Sequence, residues 1–182
     1  MAAPGASAYF PCLLFASENA ENPFFSRAPS KPTDCSMLLN ISKLLTGDLL
    51  KILCDMGHGD EVVIADANFP AATLARRLVR LPGLDGVAVL RAILPLFPLD
   101  SGYCVPATLM ELTDGDRARG MPTPSIWAEY QAALDAANGA PLEVARLERF
   151  AFYERARGAY AIIQTGEERQ YGNLILTKGV VL

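Results

Sequence analysis

Five residues, Glu61-Val62-Val63-Ile64-Ala65, restrict this chain more than any other stretch. Four consecutive apolar side chains cannot alternate between a core and water. The run is therefore expected to be a strand at the centre of a sheet, covered on both faces, and such a strand needs helices above and below it. Asp66 follows at its carboxyl end. Before it, Leu45, Leu49, Ile52, Leu53 and Met56 recur at helical spacing, with Thr46 and Asp48 suited to the first turn and Gly57 to the stop.

The remaining punctuation extends the alternation. Val87, Leu90 and Leu94 form a second helical stripe that Pro95 ends, and residues 105–112 read as a strand whose start Pro106 delays. Pro124 near a start, Trp127, Tyr130, Leu134 and Ala137 on one face, and Gly139 past the end describe an amphipathic helix whose aromatics belong to the core. Residues 142–147, 159–164 and 173–177 supply further strands, with a short helix over 150–157. This order predicts an α/β fold, a three-layer α/β/α domain with a mixed, largely parallel sheet. The last two strands are close enough in sequence to pair as a hairpin.

Composition narrows the partners. Sixteen basic against twenty acidic side chains, a net charge of -4, provide no basic field for nucleic acid or an anionic membrane. The apolar run over 87–99 is broken by Arg91, Pro95 and Pro98, so no transmembrane segment is expected. Cys12, Cys35, Cys54 and Cys104 make no CxxC pair, and His58 is the only histidine, so no metal site is expected. Cys54 and Cys104 read as small buried hydrophobes in a reducing compartment. Residues 1–36 carry Pro4, Pro11, Pro23, Pro29 and Pro32 without a periodic apolar face, which predicts a disordered N-terminal extension before a folded unit at 37–182. No Lys or Arg precedes the short apolar run over 9–15, as a secretory leader would require, and Met37 is an alternative start. The expected location is cytoplasmic.

His58 stands in Gly57-His58-Gly59-Asp60-Glu61, where two glycines open the backbone to a ligand. Imidazole titrates near neutrality, which makes His58 a candidate proton shuttle, although an isolated histidine in a glycine turn is as easily structural. Ligands of open α/β sheets sit beyond the carboxyl strand ends, which favours Asp66. The turn bearing His58 enters the very strand that Asp66 terminates, so the two lie at opposite ends unless the glycine loop folds back. Duller roles are also open. Asp66 would cap a helix at Phe69-Pro70, Arg149 would pair with Glu148 or Glu154, and Glu167-Glu168-Arg169 would be a solvated loop.

Four separated blocks carry a resemblance. Leu49-Leu50-Lys51 through Glu61, then Asp66-Ala67-Asn68-Phe69-Pro70, then Arg149-Phe150-Ala151-Phe152-Tyr153-Glu154-Arg155-Ala156, and finally Tyr171-Gly172-Asn173-Leu174-Ile175-Leu176 with Lys178-Gly179-Val180, resemble in order and spacing the L-fucose mutarotase and D-ribose pyranase family. The resemblance covers nearly all of 37–182. It implies a cofactor-free isomerase in which His58 is the proton donor, while Asp66, Arg149 and Tyr171-Gly172-Asn173 contact the sugar. Where the pyranase branch has histidine, this chain has Arg149, and the Phe-Ala-Phe-Tyr block belongs to the fucose branch. The resemblance therefore points to L-fucose, with ribose pyranose/furanose exchange or a non-catalytic sugar-binding module as alternatives. It also implies homo-oligomeric rings with sites near subunit contacts, so that Tyr171 to Asn173 would serve a neighbour's pocket.

Overall fold

A computed structural model describes residues 38–100 and 102–181. The expected N-terminal extension, Met37, Cys12 and Cys35 lie outside the described residues. Helix α1 (Gly47–Asp55) leads into β1 (Glu61–Ala65), followed by α2 (Ala71–Leu74), β2 (Leu78–Leu81), α3 (Gly86–Ile93), a 3-10 turn at Leu94–Leu96, β3 (Ala107–Met110), α4 (Asp114–Ala118), α5 (Ser125–Asn138), β4 (Val144–Leu147), α6 (Arg149–Gly158), β5 (Ala161–Thr165) and β6 (Leu174–Thr177). Thr46 caps α1 by accepting from the Leu49 N–H at 3.3 Å, and Gly139 ends α5 in the left-handed conformation at φ 75°.

The six strands form one sheet in the order β2-β5-β1-β6-β3-β4. β1 runs parallel to β5, β2 parallel to β5 and β3 parallel to β4, while β6 is antiparallel to both β1 and β3. The sheet is therefore mixed and largely parallel, with helices flanking it, α3 packed on α5 and α2 on α6. Val62, Val63, Ile64 and Ala65 are fully buried, as the continuous apolar run requires. Leu174, Ile175 and Leu176 of β6 and Ala161, Ile162 and Ile163 of β5 are equally inaccessible, so the three central strands form the middle of the core.

Several expectations change. β5 and β6 are not a hairpin, because β1 lies between them and pairs with one on each edge. Three strands without a polar face are best buried side by side at the sheet centre, and this outweighs the closeness of β5 and β6 in sequence. Cys54 and Cys104 are exposed rather than buried. Leu49 and Leu53 take the inward face of α1, leaving Cys54 outward, and the Cys104 thiol donates to the Asp100 backbone oxygen at 3.6 Å. Glu167 is not solvated. It is 3% exposed, accepts from Arg169 Nε at 2.8 Å and from the Gly86 N–H at 3.3 Å, and so ties the β5–β6 connection to the start of α3.

Arg155 fastens α6 to the sheet, donating to Glu61 Oε1 at 2.6 and 2.9 Å and to Thr108 Oγ1 at 3.1 Å. Among the described residues no helix is long and apolar enough to cross a membrane. Replacing Ile64 by Ala should cost about 2–5 kcal/mol in urea unfolding, through lost burial and the cavity left behind. A loss within about 0.5 kcal/mol, the range of ordinary surface changes, would show that this strand is not the core's centre.

Candidate active site

The antiparallel insertion of β6 brings the site together. Because Ile64 of β1 pairs with Leu174 of β6, the residues entering β6 lie beside those leaving β1. Asp66 thus meets Tyr171-Gly172-Asn173 across 107 positions of sequence or fewer, at the edge where β3 also ends. β4 ends at Leu147, and Glu148 then caps α6, its carboxylate accepting from the Phe150 and Ala151 N–H groups at 2.7 and 3.1 Å. Capping commits Glu148 and leaves Arg149 free to turn toward the same edge. Glu154 is taken by Arg157 at 3.3 Å, so neither glutamate is the partner of Arg149.

Asp66 and Asn173 hold one another. Asn173 Nδ2 donates to Asp66 Oδ2 at 2.8 Å, and the Asp66 backbone N–H returns a bond to Asn173 Oδ1 at 3.0 Å. The Asp66 Oδ1 accepts from the Asn68 N–H at 3.0 Å, an Asx turn rather than a cap, since α2 begins later at Ala71. Burial pushes the Asp66 carboxyl above the usual carboxylate range, with the Asn173 amide and the backbone N–H groups of Asn68, Gly172 and Phe69 opposing it.

A second network faces the first. Arg149 Nη2 donates to the Tyr171 hydroxyl at 2.7 Å, and that hydroxyl donates to Asp116 Oδ2. Asp116 is 8% exposed and also accepts from Thr113 Oγ1 at 2.6 Å and from Arg119. These hydrogen bonds, Thr113 first and Tyr171 next, hold its carboxyl down at about 2 against the opposing effect of burial. Tyr171 occupies the left-handed region at φ 62°, a conformation a bulky residue adopts only when its surroundings over-determine it. Trp127 Nε1 donates to the Tyr171 carbonyl and the Tyr130 hydroxyl to the Gly172 carbonyl, each at 3.0 Å. At Gly172 an added Cβ would lie 2.9 Å from Glu167 Cγ and 3.2 Å from the Arg169 carbonyl oxygen, so only glycine fits behind this turn.

Asp66, Arg149, Tyr171 and Asn173 line one cavity of about 740 Å³, with Asp116 and Tyr153. Gly172 supports it from behind. His58 does not line it. It lies at the other end of β1, where the Gly59 N–H bonds to the Lys178 carbonyl at 2.8 Å and His58 Nε2 sits 3.2 Å from Asp100 Oδ2. Four residue steps of β1 alone separate the two ends by roughly 13 Å. The glycine loop therefore does not fold back to unite His58 with Asp66 in one chain. Its ring is met edge-on by Tyr103, centroids 5.4 Å apart, and its side chain is 45% exposed.

Asp116 is a site residue that sequence reading misses. Thr113 followed three residues later by Asp116 marks a helix start, and α4 begins there, but nothing local connects Asp116 to Tyr171 fifty-five positions away. Among the described residues no group of three His, Cys, Asp or Glu side chains is arranged to hold a metal ion.

The cavity sets a carboxylate and an amide against a guanidinium and a phenol, over apolar walls that include Phe69, Met110 and Met121. Acceptors, donors and ring faces converge in a hollow large enough for a small polar ligand. The model of the RbsD / FucU transport protein family matches residues 39–181. The crystal structure of the fucose mutarotase in complex with L-fucose from Streptococcus pneumoniae is 42% identical, with a TM-score of 0.74 over 80% of this chain and 100% of that one. FucU from Bifidobacterium longum is 46% identical over 78% and 99%, TM-score 0.73. Bacillus subtilis RbsD complexed with D-ribose is 25% identical over 76% and 95%, TM-score 0.56. The chain belongs to the RbsD / FucU family.

The two acids of the cavity act on stability with opposite signs. Asp66, raised, opposes folding more as pH climbs past its unfolded value of 3.8. Asp116, lowered to about 2, contributes stability that is complete above the unfolded 3.8 and disappears as pH falls through about 2. The urea midpoint of an Asp116→Asn variant should therefore lie below that of the parent at pH 6, and the gap should narrow as pH drops below about 4. A gap independent of pH would show that Asp116 is not held as a carboxylate.

Proposed function

We propose that the protein is an L-fucose mutarotase, an isomerase that interconverts the α and β anomers of the sugar. The observation that carries this reading is the cavity itself: Asp66 locked to Asn173 opposite Arg149 locked to Tyr171, in a chain 42% identical to the whole of the Streptococcus pneumoniae fucose mutarotase. The alternative, ribose pyranose/furanose exchange, is the less favoured, since the ribose-bound RbsD is only 25% identical with a TM-score of 0.56.

Anomer exchange removes the proton of the anomeric hydroxyl and delivers one to the ring oxygen. The C1–O5 bond breaks to give the open aldehyde, rotation about C1–C2 exposes the other carbonyl face, and the ring closes with the proton transfers reversed. No electron pair leaves the sugar and no covalent enzyme intermediate is needed. Arg149 donates to sugar hydroxyls through its planar fork, and Asp66 accepts from one, which fixes the ring in the cavity. Asp66 serves binding first, because a carboxylate is a poor match for a hydroxyl proton. His58 is the group that carries the proton. Positioned acid–base help of this kind supplies roughly 10² to 10⁴-fold, about 3–5.5 kcal/mol of barrier.

His58 can serve only if another subunit supplies it. We propose a homo-oligomeric ring in which the His58 edge of one subunit closes the cavity of the next, with residues 37–182 as the folded unit and the cytoplasm as its location. Two features support this. His58 is exposed beside Tyr103, which is 80% exposed, and the same edge carries the exposed apolar side chains Val180 and Val181, next to Lys178 and the Leu99 bridge. A head-to-tail contact between two different surfaces closes into a ring when the rotation permits.

Saturation-transfer NMR on the anomeric protons tests the activity. Wild-type protein should accelerate L-fucose exchange, and His58→Gln should reduce that acceleration about 10²-fold or more while sugar affinity stays within about threefold. A non-catalytic sugar-binding module would leave exchange at its buffer rate in both proteins. Faster exchange of ribose than of fucose would favour the pyranase alternative.

A further inference from the structure

By residue type, Tyr171 is the obvious acid of this cavity: a phenol beside a guanidinium. Its hydrogen bonds assign it otherwise. A phenol carries one proton, and Tyr171 directs that proton to Asp116 Oδ2 while its oxygen accepts from Arg149 Nη2 at 2.7 Å. The Thr113 N–H donates to the same oxygen at 3.5 Å, so the donor position and both acceptor positions of the hydroxyl are taken.

Asp116 is built to stay where it is. Its backbone N–H bonds back to Thr113 Oγ1 at 3.2 Å, the Thr113 hydroxyl donates to its Oδ2 at 2.6 Å, Arg119 occupies its Oδ1, and Arg149 Nη2 approaches its Oδ2 at 3.4 Å. Buried among so many donors, the carboxylate is the natural acceptor for the phenol's hydrogen bond, and turning away would leave the Tyr171 proton without that partner. The guanidinium also sits over the phenol ring, 5.4 Å from its centroid, a second contact between Arg149 and Tyr171.

We infer that Asp116 is a positioning residue that accepts the one hydrogen bond the Tyr171 hydroxyl can donate, so that Tyr171 has no proton to offer the sugar and instead steadies Arg149 as the donor of the pair. This rests on the proposed mutarotase reading, and it deepens that reading by removing Tyr171 from the proton transfers. The hydrogen ion that reaches the ring oxygen then comes from His58 and not from the phenol.

Asp116→Asn, Tyr171→Phe and the double variant test this. Each single change should raise KM for L-fucose about tenfold, with kcat within about threefold, its pH profile unmoved, and the double variant no worse than the worse single, as expected for two residues acting as a unit. The wild-type proton spectrum should contain one low-field hydroxyl resonance that is absent from both single variants, a readout that needs no sugar. A Tyr171→Phe loss in kcat of about 10²-fold or more, with KM held and an altered pH profile, would make Tyr171 the acid and overturn the inference. Additive losses, or a wild-type spectrum without the hydroxyl resonance, would equally overturn it. Failure of wild-type protein to exchange any sugar would instead sink the mutarotase reading, and the hydroxyl resonance would still decide the role of Asp116.

Discussion

The paired hydrogen bonds between Asp66 and Asn173 are what the rest of the site depends on. They join the carboxyl end of β1 to the amino end of β6, the one strand that runs against the others. A parallel neighbour in that place would present its own carboxyl end, and the segment Tyr171 to Asn173 would then lie at the far edge of the sheet. Antiparallel insertion instead delivers an amide, a phenol and a glycine turn to the edge where α/β sheets bind ligands. The cost is a tyrosine held at positive φ, and the bonds from Trp127, Tyr130 and Asp116 hold it there.

Much of the scaffold is legible in the sequence. Val62 to Ala65 could be read as a central strand because no half-exposed strand tolerates four apolar residues in a row, and the helix over Ser125–Asn138 because Pro124 and Gly139 punctuate it. What could not be read was non-local. The separation of β5 from β6 by β1, the burial of Glu167 and the pairing of the short strand β2 with β5 all depend on contacts made far along the chain. The two cysteines depart from expectation because helix phase at Cys54 and a loop at Cys104 put them outside, where their residue type does not usually sit.

The site divides along the same line. Resemblance to a family makes Asp66, Arg149, Tyr171 and Asn173 candidates for sugar contact, and the structure brings all four to one cavity. Asp116 is not among them, since a Thr-x-x-Asp helix start occurs in many loops without any partner. His58 raised the opposite difficulty: its glycine-flanked position marks it as a functional candidate, yet β1 holds it at the end remote from Asp66. In the proposed assembly this separation is useful, because a subunit that keeps its binding groups and its proton carrier on opposite edges is catalytic only when it meets a second copy. Exposure of both edges in the single chain is then a condition for assembly and not a defect of the site.

Complementation between two inactive variants measures this most directly. Subunits carrying His58→Gln and subunits carrying Arg149→Ala should each fail to accelerate L-fucose exchange, whereas assemblies mixed from the two should recover activity, with about a quarter of the contacts joining an intact His58 edge to an intact cavity under random mixing. Mixed assemblies that exchange L-fucose no faster than either variant alone would contradict a site shared between neighbours.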